Sequence, residues 1–155
     1  DGTIIVNLPP EEARELGSIF DEHNISPVFL LAPTTTDDRA KVVCDAARGF
    51  VYYVSLKGTT GSGKLDPAEV GSKVAPFKTI TDKPGYVGFG IKDAESAQRV
   101  GSVADGVVMG SSLVDDMSRL AESVPAEEAH QIEALSPITN RMSAIRAALD
   151  QLSST

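Results

Sequence analysis

The chain has no tryptophan, one cysteine and two histidines among its 155 residues. Cys44 cannot form an intrachain disulfide, and neither histidine stands near a second histidine or a cysteine, so no metal cluster of the zinc type is indicated. Basic residues are also scarce, 14 against 22 acidic ones, which gives a formal net charge of −8 and disfavours nucleic acid or an anionic membrane as partner. A small molecule or another protein is the favoured partner, and a reducing, cytoplasmic setting is expected.

Long apolar stretches are missing as well. No run approaches the roughly 20 apolar residues that span a bilayer, and no basic segment followed by an apolar one opens the chain. We therefore expect neither a membrane helix nor a secretion signal. The sequence begins at Asp1 rather than Met and enters an apolar strand almost at once, so we expect a truncated or proteolysed N-terminus.

Short apolar runs alternate with amphipathic segments, a pattern typical of a parallel sheet covered by helices. Strands are predicted at residues 3–6, 27–31, 50–55, 85–89 and 106–109, and helices near 10–23, 36–47, 67–77, 93–100 and 112–122. A helical tail follows Pro125, with Ser136 and Pro137 predicted as the N-cap and first turn of its main helix. A barrel of eight βα units needs about 250 residues, so these five units would form its later part.

A loop rich in Gly, Thr and Ser follows the third strand. Residues 58–64 have the glycine and lysine spacing of a nucleotide-binding P-loop. Leu65, however, stands where a hydroxyl should bind Mg²⁺, and Pro67 delays the helix that a phosphate cradle needs, so an NTPase is disfavoured. The composition is typical of a mobile loop that closes over a ligand, or of a surface loop without a role.

Two more glycine turns end the next two strands, at residues 88–91 and 110–112, and each precedes a predicted helix. Glycine lets the main chain approach an anion closely, and a helix N-terminus presents unpaired N–H donors. Barrels of βα units frequently bind phosphate with the loops after their last two strands. The pair of turns therefore predicts a phosphate site.

Five blocks carry a resemblance to a known family: VNLPPEE, LAPTT, GFVYYVSLKGTTG, GFGI and ADGVVMGSSLV. In this order they resemble the tryptophan synthase alpha chain over essentially all 155 residues. The resemblance implies that residues 1–155 form the C-terminal part of a single α/β domain, a (βα)8 TIM barrel, and supply about strands 4 to 8 with their helices. It also implies a lyase of tryptophan biosynthesis, which cleaves indole-3-glycerol phosphate into indole and glyceraldehyde 3-phosphate.

The resemblance assigns partners and site residues too. A tryptophan synthase beta subunit would receive the indole in an alpha2beta2 assembly and would hold the pyridoxal phosphate, with no cofactor in this chain. The residues expected to bind the substrate phosphate are Gly61, Phe89, Gly90, Gly110 and Ser111. Those expected to line the indole and glycerol pocket are Ile4, Leu30 and Tyr52. The residues expected on the loop that closes over substrate are Gly58, which would approach the beta subunit, Thr59, which replaces the family's usual valine, and Thr60.

The family's general acid and base, a glutamate and an aspartate of the second βα unit, have no counterpart in this sequence, so no catalytic residue is assigned. Glu11 and Glu12 open a predicted helix, where acids favour the dipole, and Cys44 is expected to be a packing residue. Asn7 stands where the family usually has aspartate, which keeps hydrogen bonding but removes a charge. We expect the chain alone to bind a glycerol phosphate without turnover.

Two alternatives remain open from the sequence. The chain could be a phosphate-binding or interaction module without catalysis, or part of another phosphate-binding barrel. An open fragment of five apolar parallel strands would leave its first and last strands without lateral partners, which predicts self-association or a need for the missing half.

Overall fold

The computed structural model describes residues 1–54, 67–88, 90–125 and 132–152, and the strands there pair in parallel. The strands are β1 (Gly2–Ile4), β2 (Ser26–Val28), β3 (Leu30–Leu31), β4 (Val51–Tyr53), β5 (Gly85–Val87) and β6 (Gly106–Val107). The helices are α1 (Pro10–Ala13), α2 (Gly17–Glu22), α3 (Asp37–Ala46), α4 (Pro67–Lys78), α5 (Ala94–Gly101), α6 (Ser111–Ser123) and α7 (Ile132–Leu152). β1 pairs with β2, and β3, β4, β5 and β6 form a second sheet in that order.

The strand predicted at residues 27–31 is divided between the two sheets. Only Phe29 separates β2 from β3, and its carbonyl accepts a hydrogen bond from the Tyr52 N–H at 3.0 Å. β2 thus pairs with the preceding strand β1, and β3 pairs with the following strand β4. The prediction of one strand is wrong in detail, but the strands still follow one another in chain order.

The buried core lies between one face of the four-stranded sheet and the helices. Leu31, Tyr53 and Val87 occupy matching positions in three adjacent strands and are at most 3% exposed. They belong to one apolar cluster with Cys44 of α3 and Val100 of α5. Burying an aliphatic side chain of this size contributes about 1.5–3 kcal/mol. Cys44 is a packing residue, as predicted, and its burial raises the pKa of the thiol.

Two predicted helices differ from the structure. The helix predicted at residues 10–23 is interrupted by a 3-10 turn at Arg14–Leu16. The predicted start at Ser136 and Pro137 is wrong, because α7 begins at Ile132 and continues through the proline. Proline removes one N–H donor from a helix, but tertiary packing supplies most helical stability. Ile145, further along α7, is only 5% exposed and belongs to the core cluster.

Gly101, at the end of α5, permits a close approach of α7. A Cβ atom at this position would lie 2.4 Å from Leu149 Cδ2 and 3.1 Å from Leu152 Cδ1. Both leucines belong to α7, so the absence of a side chain at residue 101 sets the spacing between the two helices.

Asp105 joins the beginnings of β5 and β6. Its carboxylate accepts one hydrogen bond from Lys78 Nζ at 2.7 Å and another from the Gly85 N–H at 2.8 Å. Burial alone raises the pKa of this carboxyl, but the hydrogen bonds from Lys78 and Gly85 outweigh burial, and the pKa is lowered overall. The ionised form of Asp105 therefore stabilises the pairing of the two strands.

Asp105→Asn is expected to lower the melting temperature near neutral pH and to lose this effect in acid. A carboxyl whose pKa is lowered on folding stabilises the protein above its unfolded pKa of about 3.9, and the contribution disappears as the pH falls through the folded value. Thermal unfolding of both proteins from about pH 6 down to about pH 2.5 measures the difference. Asp82→Asn, at an exposed carboxyl, is the control. A melting difference that persisted unchanged in acid would contradict this role.

Candidate functional site

The two glycine turns leave the same edge of the sheet at corresponding positions. Val87 of β5 is in register with Val107 of β6. Gly90 lies three residues after Val87, and Gly110 lies three residues after Val107. Because parallel strands end at one edge, their carboxyl-terminal turns are neighbours, as the sequence predicted.

Gly90 needs to be a glycine for conformational reasons. Its φ angle is +61°, in the left-handed region that other residues rarely adopt, and it is exposed. The main chain at Gly90 is therefore accessible to a ligand.

The first turn of α6 begins without a side-chain cap. Gly110 is the N-cap, and its carbonyl accepts hydrogen bonds from the N–H groups of Leu113 and Val114 at 2.9 and 3.1 Å. The N–H groups of Ser111 and Ser112 have no partner among the described residues, as at any uncapped helix start. They also lie at the positive end of the helix dipole, so this turn offers donors and a favourable field to an anion.

The N-terminus of α5, by contrast, carries a side-chain cap. Asp93 accepts a hydrogen bond from the Ser96 N–H at 2.8 Å, and the pKa of Asp93 is lowered chiefly by its hydrogen bond with the Ser96 side chain. Ser96 Oγ in turn accepts from the N–H groups of Lys92 and Asp93 at 3.0 and 3.1 Å. The start of α5 is thus capped by its own side chains, whereas the start of α6 has no side-chain cap.

Ser112 was not singled out by the sequence, but the structure adds it to the candidate donors. Its Oγ atom is buried and has no hydrogen-bond partner within the described part of the chain. Buried hydroxyl groups in folded proteins are nearly always bonded. A serine in the first turn of a helix is common, so the sequence carried no signal that would distinguish it.

The predicted pocket residues lie on three strands, β1, β3 and β4. Leu30 of β3 is in register with Tyr52 of β4, on the face of the sheet opposite to the buried core. Ile4 of β1 is in register with Val28, two residues before Leu30, and is 41% exposed. Leu30 and Tyr52 are thus neighbours in the four-stranded sheet, and Ile4 lies in the two-stranded sheet that precedes it in the chain.

Tyr52 is held against the main chain at the end of β5. A Cβ atom on Gly88 would lie 2.0 Å from the Tyr52 hydroxyl oxygen, so the ring occupies the space that a side chain would need. Burial raises the pKa of the Tyr52 phenol. Gly88, against which the Tyr52 ring packs, lies two residues before Gly90, so Tyr52 connects the predicted pocket with the predicted phosphate site.

Five of the predicted residues cannot be placed. Gly61 and Phe89, predicted to bind phosphate, and the loop residues Gly58, Thr59 and Thr60 lie outside the residues that the structure describes. Their assignments stay predictions.

Among the residues that the structure describes, three carboxyl groups have clearly shifted pKa values, and none is suited to act as a general acid. The hydrogen bond from exposed Arg39 is the main reason that the pKa of Glu11 is lowered. The pKa values of Asp93 and Asp105 are also lowered. A carboxyl that donates a proton near neutral pH needs a raised pKa instead. Glu11 is an ion-pair partner at a helix start, in agreement with its expected structural role.

The family model for the tryptophan synthase alpha chain matches residues 1–144 of this chain. The chain belongs to this family. Its sequence is 45% identical over 152 residues to the tryptophan synthase alpha chain of Acinetobacter baumannii, which covers 98% of this chain and 54% of that protein. It is 53% identical over 119 residues to the alpha chain of Marinobacter nauticus, covering 77% of this chain and 44% of that one.

Solved structures of tryptophan synthase alpha chains confirm the predicted fold class. The crystal structure from Legionella pneumophila subsp. pneumophila matches with a TM-score of 0.80 and 33% identity, over 100% of this chain and 54% of that one. The tryptophan synthase complex from Pyrococcus furiosus matches with a TM-score of 0.70 and 30% identity. The chain spans about half the length of the curated relatives it matches, and its fold is that of the corresponding part of the TIM barrel.

Gly88→Ala is expected to destabilise the protein by about 1–3 kcal/mol, because the new methyl group must displace the Tyr52 ring. Denaturant unfolding measures the loss in the free energy of unfolding. Alkaline titration of the phenols by ultraviolet absorption reports whether the pKa of Tyr52 is still raised. Gly17→Ala is the matched control, since a Cβ at that helical position meets nothing within 4 Å. Equal stability of the Gly88→Ala variant and the unchanged protein would contradict the packing described here.

Proposed function

We propose that this chain binds the phosphate group of indole-3-glycerol phosphate at the edge formed by the Gly90 turn and the first turn of α6. The observation that carries the proposal is the uncapped start of α6, with the N–H groups of Ser111 and Ser112 unpaired among the described residues. A phosphate accepts several hydrogen bonds and carries the negative charge that a helix N-terminus favours.

The neighbouring features are consistent with this ligand. Gly90 is exposed at the same edge, and a Cβ on Gly110 would meet nothing within 4 Å. Beyond these two turns, the proposed substrate extends along the open face of the sheet, where Tyr52 and Leu30 stand side by side. An aromatic and an aliphatic side chain suit the planar indole ring.

We infer that the reaction served by this site is the family's retro-aldol cleavage. The bond between the indole ring and the glycerol carbon breaks, a proton is added to the ring carbon, and the glycerol hydroxyl loses its proton, so that indole and glyceraldehyde 3-phosphate form. The phosphate-binding turns would hold the glycerol end in place. The acid and base are expected from a second βα unit that this sequence does not contain, and this chain alone is inactive in the proposal.

The proposed partner is a tryptophan synthase beta subunit, and the proposed location is the cytoplasm. Support for the partner comes from family membership and from the match to the Pyrococcus furiosus structure, whose description names a tryptophan synthase complex. Support for the location comes from the low cysteine content and from the proposed role in tryptophan biosynthesis. In the part of the chain that the structure describes, no helix has the length and apolarity needed to cross a membrane.

Gly110→Ala is expected to weaken binding of glycerol 3-phosphate about tenfold or more while leaving stability within about 1 kcal/mol. The methyl group projects into open space beside the α6 N-terminus, where it blocks the phosphate but no protein atom, and loss of a charged hydrogen bond of 1.5–3 kcal/mol corresponds to about tenfold or more in affinity. Isothermal titration calorimetry measures the dissociation constant, with Gly17→Ala as control. Unchanged affinity in the Gly110→Ala variant would defeat the phosphate assignment.

Turnover needs a second experiment. The purified chain is expected to release no indole from indole-3-glycerol phosphate, whereas a fusion to the preceding part of the Acinetobacter baumannii alpha chain is expected to release it. Indole release by the chain alone would contradict the assignment of acid and base to another segment. A folded fusion that binds glycerol 3-phosphate but releases no indole would favour the non-catalytic binding module.

A further inference from the structure

Arg141 of α7 connects two segments that are far from it in sequence. Its Nε atom donates a hydrogen bond to the carbonyl oxygen of Lys92 at 2.6 Å, and its Nη1 atom donates to the Asp116 carboxylate. The side chains of Arg141 and Asp116 are 30% and 18% exposed, so solvent screens this ion pair less than the other ion pairs of α7. One guanidinium group thus bonds to two separate parts of the chain.

Both parts carry the proposed phosphate site. Lys92 lies two residues after Gly90, on the connection between β5 and α5, and Asp116 lies five residues after Ser111 on α6. The Gly90 turn and the start of α6 are the two parts of the proposed phosphate cradle. Arg141 therefore contacts each part through a residue close in sequence to the proposed ligands.

The peptide units around Lys92 are fixed at both ends. The Lys92 N–H donates to Ser96 Oγ at 3.0 Å, and Ser96 is only 2% exposed. The Lys92 carbonyl accepts from Arg141. With the N–H bonded within the α5 start and the carbonyl bonded to α7, the segment after Gly90 has little freedom to move away from α6.

We propose that Arg141 is a positioning residue that sets the distance between the Gly90 turn and the N-terminus of α6 for phosphate binding. The inference rests on the proposed phosphate site. Arg141 does not serve as an anion ligand, because Asp116 neutralises its charge. The role needs a planar group with diverging N–H donors, which arginine provides and the single ammonium group of lysine does not.

The test uses the full chain titrated with glycerol 3-phosphate and, separately, with inorganic phosphate. Arg141→Ala is expected to raise both dissociation constants about tenfold, and Arg141→Lys to stay weakened because it keeps the charge but not the two-sided bridge. Arg146→Ala is the matched control, since Arg146 lies on the same helix and pairs with exposed Asp150 of that helix. This control is expected to bind as the unchanged chain does.

A second measurement separates positioning from general stability. Asp116→Asn combined with Arg141→Ala should weaken phosphate binding no more than Arg141→Ala alone, because both changes break the same bridge. In the active fusion, Arg141→Lys should raise KM for indole-3-glycerol phosphate with little change in kcat, as expected for lost ground-state binding. A change confined to kcat would overturn the inference.

The outcomes distinguish this inference from the proposed function. If the unchanged chain binds neither probe, both proposals fail. If it binds both and the folded Arg141→Ala variant binds equally well, the positioning role fails and the phosphate site stands. If Arg141→Ala does not fold, Arg141→Lys decides: affinity equal to that of the unchanged chain overturns the inference, and weaker affinity in a folded protein supports it.

Discussion

The backbone pairing of β5 with β6 is the constraint on which the candidate site depends. The Asp105 N–H donates to the carbonyl of Gly85, the first residue of β5, at 3.0 Å, and the Val108 N–H donates to the carbonyl of Val87, its last residue, at 2.9 Å. These bonds fix the register of β5 with β6. The register in turn fixes how far the two glycine turns are offset from each other along the strand direction. A slip of one residue would also turn the buried Val87 face towards the open side of the sheet, at the cost of the core.

An acidic chain that binds a phosphate needs local donors strong enough to offset its net charge of −8. At physiological salt the field of distant charges is screened within about 8 Å, whereas hydrogen bonds at a helix start act at contact. The ion pairs described near the site have no net charge, because each cation is paired with a carboxylate, as Arg141 is with Asp116. Oriented backbone N–H groups, rather than free cations, would therefore provide the attraction for the ligand.

Local signals predicted the parts of the fold that depend on local chemistry. Thr36 and Asp93 cap α3 and α5 where the sequence placed helix starts, and the glycine turns follow β5 and β6. The division of residues 27–31 between two sheets and the passage of α7 through Pro137 depend on tertiary neighbours, which a single sequence does not reveal. The individual site residues came from the family resemblance. Arg141 could not be found in either way, because its carbonyl partner is 49 residues distant in sequence.

The missing side chain at residue 101 has a consequence far from its own position. Because α7 packs directly on the end of α5, the distance between the two helices depends on the volume of residue 101. The guanidinium group of Arg141 is carried by the same helix, eleven residues before Leu152 and eight residues before Leu149. A larger residue at position 101 would displace α7 and move the Arg141 guanidinium away from the Lys92 carbonyl. Affinity for phosphate would then fall, although residue 101 does not belong to the proposed phosphate site.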